Sequence, residues 1–166
     1  LVAEVRNVQL PKLTTVSTAL AEVAALHGAR FEKTPEAFHP AIRVNLARAV
    51  RISAADYIRN RRELDQLRLN TDALFPDVNL LVTPTVEQNP LPIAEVLQKE
   101  PWGSNRNAGP FNKYGLPAIS VPCGFSKNGL PIGMQIIGQR FRECDVLALA
   151  HAFEAATAWH TRAPVL

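Results

Sequence analysis

Asp77-Val78-Asn79-Leu80-Leu81-Val82-Thr83-Pro84-Thr85 is the stretch on which the fold turns. From Val78 to Val82 it is almost continuously apolar, and it then stops on a threonine–proline–threonine sequence. Such a run is too short for a buried helix and reads as a strand buried on both faces, as in a parallel or mixed sheet covered by helices. Ala118-Ile119-Ser120-Val121 predicts a second buried strand and Ile132 to Ile137 a third, with Asn128-Gly129 supplying a tight reversal between them.

Upstream of this strand the period changes. Tyr57, Leu64, Leu67, Thr71, Leu74 and Phe75 share one helical face, arginines occupy the other, and Pro76 ends the helix. Ser53-Ala54-Ala55-Asp56 starts it as a loose capping box, with Asp in place of Glu or Gln. Earlier still, Leu13, Val16, Leu20, Val23 and His27 predict a helix that stops at Gly28. Thr34-Pro35-Glu36 opens another that Pro40 interrupts, and a short helix then carries Ile42, Leu46, Ala49 and Val50. Val2 to Leu10 alternates loosely and suits a short strand. Val146, Ala150, Phe153 and Thr157 form the stripe of a closing helix over Cys144 to Trp159. Strands and helices mix throughout, so the class is α/β with a covered sheet.

A chain of 166 residues, 47% hydrophobic and with a net charge of +3, has the material for one buried core and lies far from the disordered regime. No apolar run approaches the roughly 18 residues of a membrane span. Glu4, Arg6 and Asn7 break up the first ten residues, so they do not read as a signal peptide. Two cysteines make no disulfide framework, which points to the cytoplasm. The basic residues concentrate between Arg43 and Arg68, where seven arginines meet Asp56, Glu63 and Asp65. This favours a solvated helix face laced with ion pairs over a nucleic-acid surface, because neither zinc-finger spacing nor base-stacking aromatics accompany it. The chain starts at Leu1 and its only methionine is Met134, which suggests that the natural start is missing. Eight glycines against 13 prolines leave little from which to build a phosphate- or oxyanion-binding loop.

The candidate chemistry is correspondingly thin. Cys123, at a strand end before Gly124, would need His151 or His160 as a base, and a small buried residue is the better reading. His27, His39, His151 and His160 share no metal-ligand spacing with each other or with the cysteines, so neither a metal nor another cofactor is expected. None of Ser17, Ser53, Ser104, Ser120 and Ser126 sits on a glycine-flanked elbow, and Ser120 suits a local hydrogen bond within a strand. The informative place is Thr83-Pro84-Thr85, just beyond the carboxyl end of a buried strand, where open α/β sheets bind ligands. A proline-rich loop over 84–110 follows, with at most a short helix around Ala94 to Lys99. Asn105, Asn107 and Asn112 lie in or just after it and can orient a polar substrate. Ordinary turn chemistry explains the same residues equally well.

Three ordered blocks resemble the C-terminal part of the amidase signature family of serine amidohydrolases. They are Asp77 to Thr85, Asn112-Lys113-Tyr114-Gly115-Leu116-Pro117-Ala118-Ile119-Ser120-Val121-Pro122-Cys123-Gly124-Phe125, and Asn128-Gly129-Leu130-Pro131-Ile132-Gly133-Met134-Gln135-Ile136-Ile137-Gly138. Phe141, Glu143 and Ala150 fit as well, and Val8-Gln9-Leu10-Pro11 and Ser53 to Tyr57 fit more weakly. The resemblance implies the C-terminal part of an α/β/α layered domain with a mixed sheet covered by helices, residues 1–166 forming one segment of it. It implies amide hydrolysis through a serine acyl-enzyme on a Ser-Ser-Lys triad. No Ser-Ser pair and no Gly/Ser-rich stretch occurs here, so no catalytic residue is carried over. What the resemblance assigns to this chain is pocket wall: Thr85, Asn105, Asn107 and Asn112 as substrate-binding residues.

The implied partners are a small-molecule amide and the remainder of the same protein, with a homodimer as an open expectation and neither nucleic acid nor membrane. Glutamine-specific amidotransferase members carry an acidic residue near the position of Asn105, which tilts the reading toward a general amidase. The alternatives are a glutaminase like the one within a tRNA-dependent amidotransferase, or a non-catalytic binding or assembly module on the same scaffold. Gly133 and Gly138, which bracket the third strand, are expected to permit close backbone approach.

Overall fold

The computed structural model describes residues 4–11, 17–96 and 106–163. They fall into two compact units, one of helices over residues 17–69 and one built on a sheet over 70–93 and 106–163, with 4–11. The short helix Ile93–Val96 (α4) lies where the chain passes from the second unit to the first. Of the helix expected around Ala94 to Lys99, residues 97–99 are outside the described set.

In the sheet unit, Leu80–Pro84 (β1), Ala118–Phe125 (β2) and Pro131–Gly138 (β3) form a sheet in the order β1-β3-β2. The strand last in sequence is therefore central. The α/β class stands, but both strand pairs are antiparallel, and the parallel pairing of a mixed sheet does not occur among the described residues. Leu81 and its register partner Ile137 are buried on one face, whereas Leu80, Ile119, Ile136 and Val121 pack on the other. That is why the run is apolar throughout: burial on both faces needs no parallel neighbour. Val82 departs from the expected burial, being 52% exposed, because β1 is an edge strand and the covering helix lies over β2 and β3.

That helix, Glu143–Ala156 (α6), buries Val146 and Ala150 in the core formed with Val121 and Ile136. Gly138 sets how closely it packs. A Cβ there would stand 2.6 Å from Val146 Cγ2 and 3.3 Å from the Arg142 carbonyl oxygen, so only glycine fits under the first turn of α6. The β2–β3 hairpin closes through Ser126, whose N–H donates to the Leu130 carbonyl at 2.8 Å, with Gly129 at φ 75°. Cys123 is the extra residue of a β-bulge, since Pro122 pairs with Gly133 and Gly124 already with Ile132. Gly109–Tyr114 (α5) is a helix, although the proline-rich pattern predicts loop up to residue 110. Pro110 occupies its first turn, where a missing N–H is tolerated, and Gly115 ends it in the left-handed region at φ 69°.

In the helical unit, Ala19–Lys33 (α1) runs past Gly28, contrary to the expected stop. Gly28 is buried in mid-helix, where a Cβ would meet only Val50 Cγ1 at 3.7 Å. The helix ends instead at Thr34, which precedes Pro35 and is thereby disfavoured from the helical region, lying at φ −141° and ψ 64°. Pro40–Ala49 (α2) buries Leu46 and Ala49, with the His39 ring accepting from the Ala41 N–H at 3.4 Å. Ala54–Leu69 (α3) starts on the anticipated cap: the Asp56 N–H donates to Ser53 Oγ at 3.0 Å, and that hydroxyl donates to Asp56 Oδ2 at 2.7 Å. It stops at Leu69 rather than at Pro76, and Thr71–Leu74 forms a separate 3₁₀ turn. Arg59 pairs with Asp56, and Arg61 and Arg68 both with Asp65, on an exposed face. Residues 4–11, part of the expected first strand, have no regular structure.

Candidate functional site: a polar strip across the sheet

The face of the sheet opposite α6 changes character along its length. Leu81, Ile137 and Ala118 open it; the next row is Thr83, Gln135 and Ser120, and the one after brings Thr85, Gly133 and Pro122. Strand alternation places these side chains together, because every second residue of a strand shares a face.

Thr85 continues β1 by one residue, donating its N–H to the Gly133 carbonyl at 2.8 Å. Its Oγ1 lies 2.6 Å from Ser120 Oγ. The two hydroxyls belong to strands that do not touch and meet over the central strand, where Gly133 has no side chain. A Cβ at Gly133 would lie 2.7 Å from Ser120 Oγ and 2.8 Å from Thr85 Oγ1. In a hydrogen bond between two hydroxyls one proton lies between the oxygens and the other remains to be donated outward. Ser120 is exposed and Thr85 half-buried, so that second proton can reach a ligand.

Gln135 is the polar residue beneath this pair, only 4% exposed. Its Nε2 donates to Thr83 Oγ1 and to the Asn107 backbone carbonyl, both at 3.1 Å. The carbonyl can only accept, which fixes the orientation of the amide. Asn107 in turn donates from Nδ2 to the Pro84 carbonyl at 2.9 Å. Its Oδ1 therefore points away from Pro84 and is the acceptor it can offer. No buried side-chain polar atom among the described residues lacks a partner.

Of the four anticipated site residues, the structure places two on neighbouring parts of the strip: Thr85 bonds to Ser120, and Asn107 bonds to the carbonyl of Pro84, the residue before Thr85. Asn112 lies on α5 with an exposed side chain and enters none of these bonds, and Asn105 lies outside the described residues. Ser120, expected to bond locally, bonds to a residue 35 positions away. Ser120 and Gln135 join the site without having been anticipated there, whereas Thr83 lies in the stretch singled out above and Gly133 admits the close approach expected of it. Their signal is the alternation Thr83/Thr85, Ser120/Pro122 and Gly133/Gln135, a run of polar or small residues at period two within strands that are otherwise apolar.

Other candidates gain little. Cys123 is half-buried at its bulge, and Cys144 is exposed. Among the described residues no cluster of His, Cys, Asp or Glu is placed to hold a metal, and no helix is long and apolar enough to cross a membrane. A surface hollow of about 430 Å³ in the helical unit is lined mainly by alanines with Gly28 and Val50, and Glu32 is its one charged group.

The family model that matches this sequence is Amidase, over residues 3–147. A glutamyl-tRNA(Gln) amidotransferase subunit of Synechococcus sp. is 38% identical over 114 residues, which is 68% of this chain and 24% of that protein. The protein of the same name from Dehalococcoides mccartyi is 44% identical over 94 residues, 55% of this chain and 19% of its own length. A crystal structure of an amidase superimposes with a TM-score of 0.70 at 24% identity, over 82% of this chain and 33% of its own. 6-Aminohexanoate cyclic dimer hydrolase does so with a TM-score of 0.65 at 26% identity, over 89% and 34%. The chain thus spans about a fifth to a quarter of the length of these curated relatives.

Proposed function

Because the chain belongs to the amidase family, we propose that it is part of an enzyme that cleaves a carboxamide C–N bond through a serine acyl-enzyme. On this reading the nucleophile lies outside these residues and the polar strip forms a wall of the substrate pocket. The observation that carries it is the pairing of opposite polarities on one strip. The Thr85–Ser120 hydroxyl pair has a proton to donate to a carbonyl oxygen, and Asn107 Oδ1 can accept from an amide N–H. Together they complement a carboxamide. Ser120 itself does not suit the attacking role, because its Oγ is engaged by Thr85 and no base adjoins it in the strip. The rest of the protein supplies the acyl-transfer machinery.

A second reading is that of a glutamyl-tRNA(Gln) amidotransferase component, releasing ammonia from glutamine for transfer. It is favoured by relatives of that name at 38–44% identity. Both readings share the acyl-enzyme and differ in the amide that is cleaved.

The experiment replaces the matching segment of the Synechococcus relative with this chain and follows ammonia release from glutamine and from simple aliphatic and aryl amides. Turnover is expected in the chimera and not in the chain alone. Thr85→Val, which removes one hydrogen bond worth about 1 kcal/mol, should raise KM roughly fivefold. A folded chimera inert toward every amide would overturn the assignment. So would robust turnover by these residues alone, since the nucleophile would then be among them.

A further inference from the structure

Gln135 is buried on the central strand of the sheet, and both of its Nε2 hydrogen bonds go to part-buried protein acceptors. One holds Thr83 on β1, and the other holds the backbone of the turn at residues 106–108, 28 positions earlier in the chain. Asn107 closes the circuit by gripping the Pro84 carbonyl. Three segments distant in sequence are thus tied at one point, next to the hydroxyl pair of Thr85 and Ser120.

We propose that Gln135 is a positioning residue, whose carboxamide fixes the Asn107 turn on the end of β1 and so sets the spacing between the Asn107 acceptor and the Thr85–Ser120 donor. The proposal rests on the amide reading above and deepens it. A carboxamide presents its carbonyl oxygen and its N–H groups in one small plane, so its recognition demands two polar groups held in a fixed relation. A loop asparagine does not provide that unaided: a side chain on a half-buried turn still has several rotamers open to it, and a misplacement of about 1 Å suffices to spoil binding. A buried amide anchored on the central strand removes that freedom. The geometry is specific to glutamine. Glutamate has no N–H for the Asn107 carbonyl, methionine has similar bulk and no donor, and asparagine is one methylene shorter.

The test is local exchange in the 166-residue chain. The Asn107 side-chain amide protons and the Thr85 backbone N–H are followed by NMR, with the Val121 backbone N–H in the α6-facing core as the reference. In Gln135→Met, exchange at Asn107 Nδ2 and at Thr85 should accelerate at least about tenfold while Val121 keeps its rate, because sub-global opening is confined to the freed segment. Asn107→Ala, at a half-buried turn position that leaves the core intact, should accelerate exchange of the Gln135 side-chain protons in the same local way. Acceleration at all sites by one common factor would mean that Gln135 merely supports global stability and would overturn the proposal. Unchanged exchange at Asn107 and Thr85 would overturn it equally.

In the amide-hydrolysing chimera the same Gln135→Met change should raise KM with kcat within about twofold, the pattern of lost uniform binding. A fall in kcat at constant KM would exclude substrate positioning. Should the chimera cleave no amide while the exchange pattern appears, the amide reading fails and the clamp on the Asn107 turn stands.

Discussion

Thr85 and Ser120 meet hydroxyl to hydroxyl at 2.6 Å across a strand to which neither belongs, in the space that Gly133 leaves empty. Sequence gives this relation no local trace: the residues are 35 positions apart, and the glycine between them in space follows both in the chain. The hydroxyl pair, the glycine below it and the Gln135 clamp beside it form one arrangement, and each part can be tested separately.

Gly133→Ala tests the seat of the pair. The new methyl would come 2.7 Å from Ser120 Oγ, 2.8 Å from Thr85 Oγ1 and 3.3 Å from Thr85 Cβ, closer than carbon and oxygen tolerate. Overpacking of this kind costs about 1–3 kcal/mol. Urea denaturation should show a lower midpoint at unchanged slope. In the Ser120→Ala background the same substitution should cost measurably less, since one of the two close oxygens is gone. Equal cost in both backgrounds would remove the hydroxyl pair as the reason for glycine.

Gly138→Ala tests the opposite face. Here the obstacles are Val146 Cγ2 at 2.6 Å and the Arg142 carbonyl at 3.3 Å, the second of which is backbone and cannot rotate away. A loss of about 1–3 kcal/mol is expected, with α6 lifting from the sheet. Near-ultraviolet ellipticity and the urea midpoint report it. Val146→Ala should be less costly in the Gly138→Ala protein than in the parent, with a coupling of about 1 kcal/mol for residues in contact.

Ser53→Ala tests the helical unit. Ser53 caps α3 by accepting from the Asp56 N–H and donating to the Asp56 carboxylate. Its removal should cost about 1 kcal/mol of stability, read by urea denaturation of the far-ultraviolet signal. Asp65→Asn, which removes the exposed pairs with Arg61 and Arg68, should by contrast change stability by less than about 1 kcal/mol.

The parts of the fold legible in the sequence are those that local rules specify. The capping box at Ser53, the reversal at Asn128-Gly129, the three strands and the Val146/Ala150 stripe all follow from spacing over a few residues. Two departures have a common origin. Local rules end α1 at Gly28 and make the residues up to 110 a loop, because Gly and Pro act as breakers out of context. In the structure Gly28 is enclosed in mid-helix and Pro110 occupies a first helical turn. The site is half legible. Thr85 can be found because a strand end in an α/β protein is a privileged position. The roles of Gln135 and Ser120, and what approaches Gly133, cannot, because they depend on strand order, and nothing local places the last strand between the first two. Asn107 can be singled out as a candidate, but its tie to Pro84 is a tertiary contact that spacing does not reveal.

That strand order has a consequence for how the sheet comes into being. β1 and β2 precede β3 in the chain yet share no hydrogen-bonded edge, so β1 has no described partner strand until β3 exists. The bond from Gln135 to Thr83 spans 52 positions, whereas the β2–β3 hairpin closes over the short turn from Ser126 to Leu130. Loop-closure entropy favours the hairpin first, with β1 added to its free edge afterwards. The polar strip is consequently a late product: its hydroxyl pair cannot assemble before the most distant pairing of the sheet has formed, and any slip of β1 by one residue would turn Thr85 to the opposite face. Registration of β1 and assembly of the strip are then one and the same event, so a chain that misregisters β1 loses the proposed pocket wall even if its hairpin and helices are intact.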